Sequence, residues 1–385
     1  MSLRHGWMWD QGAREAPEGA EWEDWNDRAR RARSDTYWFN GVARTRFPTK
    51  VEIQEAGPES VLKGWIPPEP IISPGSRVLA LGSCFAAYFI EWLATNGYKQ
   101  TFSEPLLVLA RNPFENTAVI AQQFRWAFGE VDPHNLFWID KDRQRNFATE
   151  EKRLAMRQAF TEADVFIATL SLSEVWYDKL TGEPLWRVMP TDCHDPQRHA
   201  FKTMSFAENV EALETIERIR MQWLPKLKII YTVSPQPLGA TFRSVSAITA
   251  NTASKAIVRG ALDEFLRARG DDLNRIYFYF PGYEIVHSLL SNPFLPDNRH
   301  LHDYVIDLVL NLFARSYTST GRQAASQGAA APRWPDGFEE RMLITELEKR
   351  NAELQGICDE RLEVIEELKR VCDERLALIE RLHGA

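Results

Sequence analysis

The sequence predicts an open, mostly parallel α/β fold, and three observations carry that prediction. Four short apolar runs, "RVLALG", "ADVFIATL", "KLKIIYTV" and "RIYFYF", recur between residues 77 and 280. Each has a β-branched or aromatic stretch unbroken by charge, as expected of strands buried on both faces. Segments of helical period lie between and after them: "CFAAYFIEWLATNGY", "AENVEALETIERIRMQWL", "TASKAIVRGALDEFLRARG" and "LHDYVIDLVLNLFARSY". The third observation is a change of texture. The first 70 residues are irregular and rich in Trp, Pro and charge; from "ISPGSRVLALG" onward strands and helices alternate, the signature of βα units.

Composition narrows the function. With 385 residues, 44% of them hydrophobic, the chain can bury a full α/β core and still carry appendages. A net charge of −8, with one short arginine cluster at "RARRARSD", argues against a nucleic-acid partner; the cluster reads as the basic face of a short helix. The N-terminal stretch has no apolar h-region, and no run reaches the roughly 18 apolar residues needed to span a bilayer. Cys84, Cys193, Cys358 and Cys372 lack CxxC or Cys/His ligand spacing, so they are expected to be reduced thiols of a cytoplasmic protein, with no metal site.

The chain divides into four regions: an N-terminal arm (1–70) packing on the core, an α/β domain (71–316), an Ala/Gly/Ser/Pro linker expected to be flexible (317–336), and a C-terminal helix (337–385). In that last region "ICDERLEVIEELKR" is followed at once by "VCDERLALIERLHG", a 14-residue repeat and thus two heptads. In one register Ile344, Asn351, Cys358, Ile365, Cys372 and Ile379 occupy a, while Leu347, Leu354, Arg361, Leu368, Arg375 and Leu382 occupy d. Such a period indicates a coiled coil, hence a homo-oligomer or a partner helix. The alternative is folding back on its own domain through Leu362 and Leu376. This tail holds 13 acidic against 8 basic side chains over 338–383, so much of the negative charge sits there.

Chemistry concentrates at "LGSCFA" (81–86), a strand-to-helix junction. Gly82 permits a sharp turn, and Ser83 falls where ligands bind in open α/β folds. Free N–H groups of the new helix would face an anion forming beside it, the geometry an acyl-transfer nucleophile needs. The structural alternative is that Ser83 is only an N-cap. Cys84 is expected to turn into helix packing. Of the eight histidines, His300 lies after the last strand, at a helix start, with Asp297 three residues before it. A D-x-x-H lets the carboxylate orient one imidazole nitrogen while the other faces the nucleophile. His302 is a rival in the same loop.

Several segments together resemble the GSCFA family, which belongs with the SGNH/GDSL-like hydrolases. "GSCFA" (82–86) carries the signature itself. "RNPF" (111–114) resembles the family's NP loop, "TLSLSEVW" (169–176) its T-L-G-x-x-E-x-W segment, and "TVSPQPLGATF" (232–242) its T-V-S-P block. "ANTASKAIVR" (250–259) is similar to its N-x-x-S-K helix, "FPGYEIV" (280–286) to its F-P-S-Y-E-I stretch, and "DNRH" (297–300) to its D-x-x-H. The ordered matches cover the central domain and neither the arm nor the tail.

The resemblance implies a flavodoxin-like three-layer α/β/α fold and acyl chemistry. It assigns Ser83 as nucleophile, His300 as base and Asp297 as its orienter, with the oxyanion held by the backbone N–H of Ser83 or Cys84, beside Gly82, and by donors from other loops. The sequence departs from the pattern at Ser171, where the family has glycine, and at Ser173, where SGNH enzymes carry an asparagine donor. Asn112 and the Ser173 hydroxyl are candidate replacement donors, with Asn112 equally a turn residue before Pro113. Asn251, Ser254 and Lys255, expected at a helix start, read as a substrate-facing cluster, the alternative being capping plus a surface lysine. His194 and His199 lack a third ligand and are read as loop-ordering or substrate-contact residues. Tyr283 and Glu284 are read as packing. The expected function is a serine esterase or O-acyltransferase acting, without a cofactor, on an O-acylated small molecule or glycan. The alternative is a catalytically weak scaffold that assembles through its coiled coil.

Overall fold

The computed structural model describes residues 47–48, 50–101, 115–131, 137–139, 145–186, 192, 194–290, 292–327 and 338–383. Two units divide the chain, Met1–Ile53 and Gln54–Ala385. Most of the first, and with it the arginine cluster, lies outside the described residues, as do Asn112 and Cys193. The second unit holds the sheet.

The chain enters the sheet with β1 (Arg77–Gly82) and passes through α1 (Phe85–Thr95) to the short β2 (Lys99–Gln100). Next come α2 (Thr117–Ala127), a small hairpin β3 (Phe137–Ile139) and β4 (Arg145–Phe147), and α3 (Glu150–Glu162). Strand β5 (Val165–Leu170) leads to a second hairpin, β6 (Glu174–Asp178) and β7 (His199–Thr203), then α4 (Phe206–Trp223) and β8 (Lys228–Val233). The domain closes with α5 (Ala247–Arg267), β9 (Tyr277–Tyr279), α6 (Asp303–Tyr317) and α7 (Ser319–Ser326). A 46-residue helix, α8 (Phe338–His383), ends the described chain.

The main sheet has the order β2-β1-β5-β8-β9, and every pairing in it is parallel. Counting only its own strands, the order is 2-1-3-4-5, the flavodoxin-like arrangement with its switch point beside the first strand. All four strands expected from the apolar runs are present. Edge strand β2 is too short for a sequence signal, and the two hairpins lie apart from the main sheet.

Alternate residues of each strand project to opposite faces, and both faces are packed. Leu79, Leu81, Phe166, Ala168, Ile229 and Tyr231 meet α2, α3, α4 and α5 on one side. Val78, Ala80, Val165, Ile167 and Ile230 meet α1 and α6 on the other. The result is three layers, α/β/α. Caps set the helix starts: Asn116 accepts from Val119 N–H, Thr149 from Lys152 N–H, and Ser205 with Glu208 forms a reciprocal capping box on α4.

Two expectations change. Residues 319–326, assigned to a linker, are helical: Thr318 caps Gly321, and Arg322 donates to the carbonyls of Pro67, Pro68 and Ser316, tying α7 to the domain. Residues 328–337 lie outside the described residues. Leu362 and Leu376, the side chains through which the tail was to fold back, are both exposed.

Gly82 closes β1 with φ 137°, and a Cβ placed there would lie 2.2 Å from the Thr169 carbonyl oxygen. Gly82→Ala is therefore expected to cost about 2–4 kcal/mol through a clash and a strained backbone. Urea unfolding measures this, and an unchanged midpoint would contradict the close approach of β1 and β5.

Candidate active site

The carboxyl ends of β1, β5 and β8 lie side by side, and each is followed by a polar segment. After β1 the chain turns at Gly82 into α1. Ser83 is 3% exposed; its N–H donates to Thr169 O at 2.9 Å, and its Oγ lies 3.1 Å from Thr169 Oγ1. The same Oγ accepts from Phe85 N–H at 3.2 Å. Ser83 thus faces inward beside the start of α1, whose N-cap residue is Cys84, and its own N–H is spent on the neighbouring strand.

Cys84 does the opposite. It was expected in helix packing, but it is exposed, because the bonds to Thr169 hold residue 83 in and leave the next residue facing out. Its thiol donates to Gln236 Oε1, on the segment after β8. Atoms packed around the sulfur remove enough water to push the thiol pKa up despite that exposure; the Glu115 carboxylate adds to the rise, and Arg299 and Lys255 oppose it. The group is therefore held as a thiol, and needs a base to become a nucleophile.

A base of suitable form lies in the loop before α6. The His300 Nδ1–H donates to Asp297 Oδ2, while Asp297 Oδ1 accepts from the N–H groups of Arg299 and His300, both at 3.0 Å. Asn298 takes φ 57° to close this turn. The hydrogen bond from His300, reinforced by the two N–H groups, holds the Asp297 carboxyl down at about 2. The arrangement orients the ring and leaves Nε2 without a partner among the described residues. The loop meets the segment after β8 through Arg299, whose Nε donates to Pro237 O at 3.4 Å and whose guanidinium packs on Gly239. His302, the rival, is buried as the α6 N-cap residue and stacks on Tyr304, whereas the His300 side chain is 50% exposed.

The remaining candidates separate by their bonds. Ser173 is fully buried, and both its N–H and its hydroxyl donate to Ser254 Oγ, at 2.7 and 3.1 Å. Asn251 Oδ1 accepts from Leu238 N–H, fixing the loop after β8. Asn251, Ser254 and Lys255 all lie inside α5 and not at its start, since Ser246 caps the helix earlier. Ser171 donates its N–H to Glu115 O, and its Oγ accepts from Lys255 Nζ at 2.9 Å. Lys255 Nζ also donates to Ser234 O at 2.7 Å, so one amine joins the ends of β5 and β8. His199 Nδ1 accepts from Asp195 N–H, and His194 packs on Trp176. Glu284 accepts from Tyr279 Oη and Arg259, a closed packing network. Gln236, Glu115 and Arg299 escaped the sequence reading. The signal for two of them was adjacency, Gln236 inside "TVSPQP" and Arg299 inside "DNRH".

Among the described residues no cluster of His, Cys, Asp or Glu is placed to hold a metal ion, and no helix is long and apolar enough to cross a membrane. A family model, described as the GSCFA family, matches residues 77–313. No curated protein matches the chain.

Lys255 is 1% exposed, and burial lowers its pKa from 10.5 to about 7. Between those values the unfolded chain binds a proton that the folded chain does not, so this group makes stability rise with pH from about 7 to 10.5. The rise is expected to be on the order of a few kcal/mol, and Lys255→Met should flatten it. Denaturant unfolding at pH 7 and pH 9.5 checks this; identical pH slopes in both proteins would show the amine is not desolvated.

Proposed function

The chain belongs to the GSCFA family, and from that premise we propose that it is a hydrolase-like acyl-transfer enzyme of the SGNH type, acting through the thiol of Cys84. The observation that carries this reading is the elbow itself: Ser83 is buried and hydrogen-bonded inward, and Cys84 is exposed at the switch point of the sheet. The family pattern makes Ser83 the competing nucleophile; its burial and its bonds to Thr169 and Phe85 favour a structural role instead.

In the first step the Cys84 sulfur attacks the ester carbonyl carbon as its proton passes to His300 Nε2. Asp297 steadies the imidazolium that results. A C–S bond forms, and the carbonyl electron pair moves to the oxygen. When the pair returns, the C–O bond breaks and the departing alcohol takes the proton from His300. An acyl thioester remains on Cys84. Water, or a second hydroxyl, then attacks it with His300 again taking the proton, and the thiol is restored. Water as acceptor makes the reaction an ester hydrolysis, and a hydroxyl makes it an O-acyl transfer. An O-acylated small molecule or glycan supplies the ester, and the scheme balances without a cofactor.

A second observation bears on assembly. Along α8, Ile344, Leu347, Leu354, Ile365 and Leu368 are exposed at a and d positions of the heptads. Asn351, Arg361 and Arg375 interrupt this stripe, and burying its apolar side chains against another helix supports a coiled coil. We read α8 as the strand of a coiled coil formed with other copies of this chain.

Hydrolysis of 4-nitrophenyl acetate tests the chemistry. Cys84→Ala is expected to lower kcat/KM by about 10⁴-fold or more. Ser83→Ala should stay within about tenfold of the parent while losing about 1 kcal/mol of stability with its hydroxyl bonds to Thr169 and Phe85. The reverse pattern moves the nucleophile to Ser83, and an inert parent protein ends the enzymatic reading. Light scattering tests the assembly: deleting 337–385 is expected to reduce the particle to a single chain, and an unchanged mass would place self-association elsewhere.

A further inference from the structure

Acyl transfer needs donors for the oxyanion, and the structure removes several of the expected ones. The Ser83 N–H is committed to Thr169 O. Ser173, at the position of the usual asparagine donor, is fully buried with both its N–H and its hydroxyl given to Ser254. The Cys84 N–H has no acceptor on another described residue and is directed at its own thiol, beside the point of attack. A second donor is still required.

Ser171 supplies one: at 5% exposed it is nearly as buried as Ser83, but its hydroxyl proton is unspent among the described residues. It lies two residues beyond Thr169, whose carbonyl receives the Ser83 N–H, so it is at the end of the strand directly beside the elbow. A hydroxyl has one proton to donate and lone pairs to accept with. Lys255 Nζ occupies a lone pair of Ser171 Oγ, and among the described residues nothing accepts the Ser171 proton. The amine is fixed by its second bond to Ser234 O, so the Ser171 oxygen cannot swing away without breaking a buried link between two strands. A hydroxyl that accepts from an ammonium group is also the stronger donor.

We propose that Lys255 is a positioning residue for acyl transfer, and that the Ser171 hydroxyl it holds is the catalytic donor to the oxyanion. The substitution of serine for the family's glycine at 171 then makes up for the loss of a free donor at 173. This inference rests on the acyl-transfer reading, but not on whether residue 83 or 84 attacks. Lys255 loses its proton near pH 7 because it is buried; Glu115 and Cys84 favour its charge, and His287 is the other titratable group coupled to it. The donor strength of Ser171 should therefore fall as pH rises through about 7.

The test is the turnover of 4-nitrophenyl acetate by the full chain, Ser171→Ala, Lys255→Met and the double variant, between pH 6 and 9. Each single variant should lose about 100-fold in kcat with KM within about threefold. The double variant should be no worse than the poorer single one, as for two residues acting as a unit. The alkaline fall of the full chain should be absent from Ser171→Ala, a change that a merely structural role would not produce. Ser171→Gly repeats that arm should Lys255→Met fail to fold. Multiplicative losses, full kcat in Ser171→Ala, or an alkaline fall that survives it would overturn the proposal while leaving acyl transfer intact. An inert full chain would overturn both.

Discussion

The carboxyl ends of β1 and β5 approach so closely that the Thr169 carbonyl fills the space a Gly82 side chain would need. That contact sets the site. It fixes the turn between strand and helix, gives the Ser83 N–H its acceptor, and brings the Thr169 hydroxyl against Ser83 Oγ. With residue 83 held on both its amide and its hydroxyl, the helix begins in one orientation, and residue 84 faces out. A flavodoxin-like strand order makes the same place the switch point, where helices leave the sheet in opposite directions and open a crevice.

Several polar side chains of the domain form closed networks: Arg220 bonds Glu217 and Tyr277, and Arg259 bonds Glu284, which also receives Tyr279 Oη. Donors there meet acceptors within the network, which suits a structural role. At the carboxyl ends the accounting stays open. The Ser171 proton and His300 Nε2 lack partners among the described residues, and the Ser234 hydroxyl is buried without one. Open accounts are not confined to the strand ends, since the Gln123 amide and Trp176 Nε1 are also buried without partners.

How much of this was legible in the sequence depended on range. The four buried strands were readable because each is a continuous apolar run, and "SFAE" at 205–208 writes its capping box in four letters. Asp297 and His300 were readable because a three-residue spacing is local. The orientation of Ser83 and Cys84 was not. Which of two adjacent residues points inward depends on a threonine 86 residues away, and no spacing rule within "GSCFA" encodes it. The state of Lys255 was hidden for the same reason: its partners arrive from the ends of two strands. Residues 319–326 were misjudged because Ala, Gly and Ser permit a helix that only Arg322 and the carbonyls of Pro67 and Pro68 select.

The division of roles at the elbow has an evolutionary corollary. Residue 83 carries the backbone geometry, and residue 84 carries the outward-facing atom. Exchange of sulfur for oxygen at 84 would touch no packed layer and strain no turn. Descendants of such a scaffold can therefore drift between thiol and hydroxyl chemistry, or lose reactivity altogether, with the architecture unchanged. Residue 82 has no such latitude, since any side chain there meets the Thr169 carbonyl. Selection can act on the reacting atom independently of selection for a folded chain.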